Sequence, residues 1–150
     1  MSNELIVLKL MHLDTKFARL LHVLIHMYLK GGSTTSDIIA QMLHTNPALV
    51  RRTMAPLREA GYVKSERGPG GGWTLSCTFS DVTAKDIYLA LRYKELFIIG
   101  LSDDHPKCPV ESSVNDLLDD AMQKAEKEFL QTLEQIRLLT MAENIVKNEG

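Results

Sequence analysis

Apolar residues recur at helical spacing through the first third of the chain, and short polar turns separate the helical stretches. The stretch "DTKFARLLHVLIHMYLKGG" predicts a first helix between a cap at Asp14 and a stop at Gly31. The stretch "TTSDIIAQMLHT" opens with Thr34 and Asp37 in capping-box positions and predicts a short second helix. The apolar face of the first helix is formed by Phe17, Leu20, Leu21, Leu24, Ile25 and Tyr28.

A third helix is predicted over "NPALVRRTMAPLREAG", which starts with Pro47 in the tolerated first turn and ends at Gly61. Pro56 predicts a kink near residues 52 to 56, because proline removes one backbone hydrogen bond at a cost of roughly 3 kcal/mol. The predicted inward face consists of Val50, Met54, Leu57 and Ala60. The predicted outward face consists of Ala48, Leu49, Arg51, Arg52 and Ala55.

A change to period-two alternation follows the third helix. "YVKSE" and "WTLSCTF" flank the loop "RGPGGG" and predict a β-hairpin, with Trp73, Leu75, Cys77 and Phe79 on one face. Three helices followed by a hairpin is the element order of a winged helix-turn-helix, so the loop is the predicted wing tip. A phosphate-binding loop is excluded because Trp73 follows the last glycine, and the dinucleotide fingerprint lacks its third glycine.

The second half of the chain is predicted to be helical. Thr83 and Asp86 form a second capping-box pattern, and Thr140 with Glu143 predicts the cap of a last short helix. Between them, a long helix from Val110 to about Leu138 carries one apolar stripe, made of Val114, Leu117, Leu118, Ala121, Met122, Ala125, Phe129, Leu133 and Ile136. Such a stripe exceeds what a small wing domain can cover, which predicts a partner helix.

The predicted fold is therefore mainly α with a small β-hairpin wing: a winged helix-turn-helix plus a long C-terminal dimerisation helix. We assign residues 1–81 to DNA binding and residues 82–150 to dimerisation and signal input. Hydrophobic residues make up 45% of the chain and charged residues 24%, as in globular proteins. No apolar run of about 18 residues and no signal peptide are evident, so a cytoplasmic protein without membrane association is expected.

Charge is unevenly distributed along the chain. The formal net charge is −2, but residues 46–75 hold five basic and two acidic side chains, and residues 111–150 hold four basic and nine acidic ones. The basic excess coincides with the third helix and the wing, which favours double-stranded DNA as the partner over the alternative of a solvated surface. The predicted DNA-contacting residues are Asn46, Ala48, Leu49, Arg51, Arg52, Lys64, Arg67, Gly68, Gly70 and Gly71.

The stretch "VRRTMAPLREAGYVKSERGPGGGWTL" resembles the signature of the Rrf2 family of bacterial transcription regulators. The flanking "SDIIAQML", "VTAKDIYLAL" and "KCPV" agree with that family in order and distance. The resemblance covers about residues 14 to 140 and implies a homodimeric winged-helix repressor or activator; we expect a repressor. It also implies that Ala48, Leu49, Arg51 and Arg52 read DNA, with Arg67 and the following glycines on the wing.

Some Rrf2 members hold an iron-sulfur cluster with three cysteines between the post-wing helix and the dimer helix. This chain has only Cys108 in that region, so no cofactor is expected, and the resemblance is closest to the cluster-free YwnA-like subgroup. Cys108 stands beside Lys107 at the predicted start of the long helix, where a thiolate is favoured, so it is a candidate redox thiol. Its alternative interpretation is a packed cap residue, and Cys77 is expected in the core.

Three alternatives to a plain DNA regulator remain at this point. They are an iron-sulfur or thiol-based redox regulator, a winged-helix module that binds protein without DNA, and an enzyme built on His105 and Cys108. The enzyme is disfavoured because no third orienting group is evident, and His22 with His26 is expected at the edge of the core, without a metal. The extra "NELIVLKL" before Asp14 either adds a strand or extends the first helix, unless Met11 is the initiator. An effector, either a small molecule or a redox event, is expected but unassigned.

Overall fold

The computed structural model describes residues 13–69 and 71–150, so the hypotheses about "NELIVLKL", Met11 and Gly70 lie outside the described residues. Six helices and one antiparallel two-stranded sheet form within the described part of the chain. The helices are α1 (Lys16–Lys30), α2 (Ser36–Met42), α3 (Pro47–Glu59), α4 (Ala84–Ala90), α5 (Pro109–Glu134) and α6 (Leu138–Glu149), and the strands are β1 (Val63–Glu66) and β2 (Gly72–Leu75).

Helix α1 is the central element of the core. Gly31 ends the helix at φ 73° as predicted, but the predicted cap at Asp14 was wrong by one residue, because Thr15 is the N-cap. The Asp14 side chain precedes that cap and accepts a hydrogen bond from the Lys16 N–H at 2.8 Å. Tyr28 was predicted to face inward but is 40% exposed, because its ring stacks on Phe79 at the edge of the core with 4.3 Å between centroids. The buried residues of α1 are Leu20, Val23, Leu24, Ile25 and Met27.

The predicted start of α2 was wrong by one residue. Thr35 is the N-cap, and its side chain accepts from the Ile38 N–H at 3.2 Å. Thr34 cannot take that position because its backbone is paired with Trp73 through two hydrogen bonds of 2.8 and 2.7 Å. This pairing adds Thr34 to the edge of the hairpin.

Helix α3 runs without interruption through Pro56. The kink near residues 52 to 56 stays a prediction. Val50, Met54 and Leu57 are buried as predicted, whereas Ala60 is exposed because it is the C-cap and no longer part of the inward stripe.

The hairpin is shorter than the alternating pattern predicted. Val63 pairs with Leu75 and Glu66 with Gly72, so β2 ends at Leu75 and not at Phe79. Beyond Leu75 there is no partner on β1, since β1 begins only after the end of α3. Ser76 instead donates its N–H to the Tyr62 carbonyl and its hydroxyl to the Gly61 carbonyl.

The C-terminal half returns to the first core. The predicted long helix stops at Glu134, and α6 starts at Leu138, so Thr140 and Glu143 lie inside α6 and do not cap it. Backbone pairing explains the early start: Arg137 bridges to Thr83, and the Leu138 N–H donates to the Val82 carbonyl at 2.9 Å. By contrast, the capping box of α4 at Thr83 and Asp86 is confirmed.

The buried residues of the described part of the chain form two hydrophobic clusters. The larger one joins α1, α2, α3, the hairpin, α4 and α6, and it includes Leu138 and Ala142. The smaller one packs Ala84 and Tyr88 of α4 against Leu133 of α5, with Phe129 beside them. No helix among the described residues is long and apolar enough to cross a membrane.

Replacing Gly72 with alanine tests how closely the wing approaches α2. A Cβ at Gly72 meets the Thr34 carbonyl oxygen at 2.7 Å, and the residue has φ 140°. We expect Gly72→Ala to lower the free energy of unfolding by about 1–3 kcal/mol, measured by urea denaturation. Gly100→Ala is the control because nothing lies within 4 Å of its Cβ position and its φ is not positive. Equal effects of the two substitutions would contradict the close approach.

Stability is expected to fall at alkaline pH. Burial is the main cause that raises the pKa of Cys77, Tyr62, Tyr88 and Tyr93 above their ordinary values. The folded chain therefore keeps these protons to higher pH than the unfolded chain, so stability is full below the unfolded pKa values and is lost as pH rises through the folded ones. Cys77→Ala removes the buried thiol, and its melting temperature should decline less steeply than that of the wild type as pH rises above about 8.5, the ordinary pKa of cysteine. Parallel melting curves of the two proteins would contradict this assignment.

Candidate nucleic-acid interface

The N-terminal half of α3 presents the predicted reading face. Pro47 is in the first turn, and the Asn46 side chain caps the helix by accepting from the Leu49 N–H at 3.0 Å. Asn46 therefore has a structural role in addition to any contact with DNA. The exposed side chains on this face are Ala48, Leu49, Arg51 and Arg52, and Ala55 is half-buried.

A cleft of about 650 Å³ lies between α3, the wing and the start of α2. Three arginines line it: Arg51 and Arg58 from α3, and Arg67 from the end of the wing strand. Glu66 is the acidic residue on its wall. We refer to this feature as the wing cleft. Of the two predicted reading arginines, Arg51 lines the wing cleft, whereas Arg52 lies outside its lining.

Arg58 is a residue of the wing cleft that the sequence analysis missed. Its guanidinium carbon lies 5.9 Å from the centroid of the Trp73 ring. Trp73 is only 2% exposed and donates its Nε1–H to the Ser36 hydroxyl at 3.0 Å. Arg58 follows Arg51 by seven residues, which is two helical turns, so the spacing placed both on one face.

The wing places its predicted residues in different surroundings. Arg67, Gly68 and Gly71 line the wing cleft, and Lys64 is exposed on β1 outside that lining. A Cβ at Gly71 would clash with the Glu66 and Gly68 carbonyl oxygens, so the wing's own backbone already requires glycine there. The glycines thus serve to fold the turn, and close approach to DNA stays a prediction.

A second depression, of about 390 Å³, lies on another side of α3, where Leu49 and Thr53 meet the start of α1. Lys16 and Arg19 line it, and the Arg19 guanidinium donates to the Leu43 carbonyl. Neither cation was among the predicted DNA-contacting residues, because the apolar pattern of α1 predicts only a core helix. Their position next to Leu49 depends on how α1 packs against the turn between α2 and α3.

Cys108 is the N-cap residue of α5, and its backbone N–H donates to the His105 carbonyl at 2.9 Å. The Glu111 carboxylate accepts a hydrogen bond from the His105 N–H at 2.8 Å, so it connects the first turn of α5 to the loop before that helix.

His22 and His26 are exposed on α1, and their rings meet edge to face with 4.5 Å between the ring centroids. Across residues 13–69 and 71–150, no three His, Cys, Asp or Glu side chains come together as a metal site. The thiol-switch hypothesis and the expected lack of a cofactor stay predictions.

Comparison with known proteins places this geometry in a family. Residues 13–144 match the profile of Rrf2, which is described as an iron-dependent transcriptional regulator. YwnA of Bacillus subtilis, named as an HTH-type transcriptional regulator, is 27% identical over 115 residues, spanning 77% of this chain and 85% of YwnA. The HTH-type transcriptional regulator CymR of B. subtilis is 33% identical over 98 residues, spanning 64% of this chain and 71% of CymR.

Solved structures give the same answer for the fold. A transcriptional regulator from Lactobacillus plantarum matches with a TM-score of 0.72 and 20% identity, over 89% of this chain and 91% of that one. The structure of B. subtilis CymR, described as a global cysteine regulator, matches with a TM-score of 0.58 and 27% identity, over 88% and 96%.

Proposed function

The chain belongs to the Rrf2 family of transcriptional regulators, and on that premise we propose that it is a homodimeric repressor that binds a palindromic operator through α3 and the wing. The observation that carries the proposal is the arginine-lined wing cleft beside the exposed N-terminal face of α3. An operator-bound dimer would act as a repressor by covering DNA that the polymerase needs.

Helix α3 is suited to enter a major groove. Arginine pairs bidentately with guanine, and small apolar side chains contact the thymine methyl group. Arg51 and Arg52 supply the first kind of contact, and Ala48 with Leu49 supplies the second. All four side chains are exposed, so α3 can read bases without rearranging the core.

Cations on either side of the reading face support this orientation. A helix in the major groove lies between two phosphate backbones, so a DNA-binding surface needs positive charge on both edges. Arg67 of the wing supplies one edge, and Lys16 with Arg19 at the start of α1 supplies the other. The acidic excess of residues 111–150 lies in a different part of the chain.

The first half of α5 supports the dimer. Leu117 is 70% exposed and Val110 is 70% exposed, although both are large apolar residues. Val114 and Leu118 extend the same stripe, while the second half of α5 is covered by α4. An exposed apolar stripe on a rigid helix is typical of an interface, and a second copy of α5 fits it by symmetry. Two reading helices would then meet half-sites about one DNA turn apart.

We also propose that the regulator works without an iron-sulfur cluster. Cys108 and Cys77 are the two cysteines of the chain, and Cys77 lies against the large core of α1 to α4 and α6. Thiolates are the usual cluster ligands, and one thiol per subunit at the start of α5 is too few. The expected signal is therefore a ligand or a change at Cys108 that alters the spacing of the two reading helices.

The DNA-binding proposal is tested by the double variant Arg51→Ala with Arg52→Ala in a gel-shift series. We expect wild-type protein to bind its own upstream DNA with an affinity that falls as salt rises, because phosphate contacts release counterions. The double variant should lose at least about 10-fold in affinity, since each bidentate pair is worth roughly 1–3 kcal/mol.

Lys94→Ala with Lys147→Ala is the matched control, because it removes two positive charges from exposed positions elsewhere. Equal losses in the two double variants would contradict a reading role for α3. Failure of the wild type to bind either upstream DNA or a random pool would favour the protein-interaction module.

Dimerisation is tested by placing charge on the α5 stripe. Val114→Glu with Leu117→Glu should convert the dimer to a monomer, because burying unpaired carboxylates in an apolar interface costs free energy. Light scattering coupled to size-exclusion chromatography measures the change in mass. Ser112→Glu with Gln123→Glu adds the same charge at exposed positions of α5 outside the stripe and should leave the dimer intact. A wild-type protein that is monomeric at micromolar concentration would overturn the dimer proposal.

A further inference from the structure

The wing cleft holds more positive charge than its surroundings neutralise. Within the described part of the chain, none of Arg51, Arg58 and Arg67 forms a salt bridge, and the ion pair that does form joins Lys85 to Glu134 elsewhere. Glu66 lines the cleft, but its carboxylate is in no salt bridge. Three guanidinium groups around one open cavity form a site for an anion.

Arg58 is held differently from the other two arginines. It lies over the ring of the buried Trp73, which is fixed by its hydrogen bond to Ser36. A guanidinium held over an aromatic ring by a cation–π contact keeps its N–H donors available for other partners. Arg58 can therefore stay on Trp73 and still donate two parallel hydrogen bonds to an oxyanion in the cleft.

We propose that the wing cleft binds one phosphodiester of the DNA backbone, with Arg58 as the phosphate ligand that Trp73 holds in place. This inference rests on the proposed function and deepens it. It states that α3 and the wing hold the same single phosphate of the DNA between them. Such a contact positions the protein on DNA without reading sequence. The phosphate chemistry is shared by a DNA backbone and by a small free phosphate, so the test has one arm for each.

The first arm uses inorganic phosphate as the probe and Trp73 as the reporter. Trp73 is the sole tryptophan of the chain and lines the cleft, so tryptophan fluorescence reports on its surroundings there. We expect phosphate to change this fluorescence with saturation at constant ionic strength, kept with chloride. Arg58→Gln should abolish the saturable change, and Lys94→Gln, at an exposed position outside the cleft lining, should keep it. Melting temperatures of both variants establish that they are folded.

The second arm measures affinity for operator and random duplexes across a salt series. Arg58→Gln should weaken both duplexes by the same factor and reduce the slope of log affinity against log salt by about one. Arg51→Ala with Arg52→Ala should instead reduce the preference for the operator.

The two arms separate the outcomes. Saturable phosphate binding without any DNA binding would overturn the DNA backbone as the ligand and the proposed function, leaving an anion site for a small phosphate. DNA binding with an unchanged salt slope and unchanged phosphate titration in Arg58→Gln would overturn the cleft proposal alone. Loss of the phosphate signal together with a reduced salt slope in Arg58→Gln, with both unchanged in Lys94→Gln, supports the backbone clamp.

Discussion

The position of the wing depends on the pairing of Trp73 with Thr34. Two strands of four residues are marginal as an isolated hairpin, so contacts outside the sheet must fix its orientation. Trp73 provides them with two backbone hydrogen bonds to Thr34, an indole hydrogen bond to Ser36 and a fully packed ring. These contacts attach the wing to the N-terminus of α2, next to α3. The cleft between Arg51 and Arg67 exists because both of its walls are anchored through this one residue.

The sequence predicted the elements that local signals control. Helical periodicity placed α1 and α3 and separated the buried Val50 from the exposed Arg51 and Arg52, and the Thr83 capping box was correct because both partners lie within one turn. Errors arose where a distant partner decides. The cap of α2 was wrongly predicted at Thr34 because the Thr34 backbone is hydrogen-bonded to Trp73. The start of α6 was wrongly predicted because Val82 and Thr83 pair with the backbone of Leu138 and Arg137.

The candidate site divides in the same way. The outward face of α3 follows from spacing alone, whereas the position of Arg58 over the Trp73 ring depends on how the wing packs against α3. Lys16 and Arg19 were missed for the corresponding reason, since only packing brings the start of α1 beside Leu49. The glycines gave a partly misleading signal. Gly71 is required by the carbonyl groups of its own turn, so a glycine-rich loop in sequence does not by itself indicate close approach of a ligand.

The place of α6 has a consequence for how the chain acquires its structure during synthesis. Leu138 and Ala142 complete the same core as α1, although more than a hundred residues separate them from that helix. Domains generally fold in the order in which they leave the ribosome. Here the wing region leaves first, yet its core closes only after all of α5 has followed. The apolar stripe of α5 is thus synthesised before the residues that complete the core of the wing region.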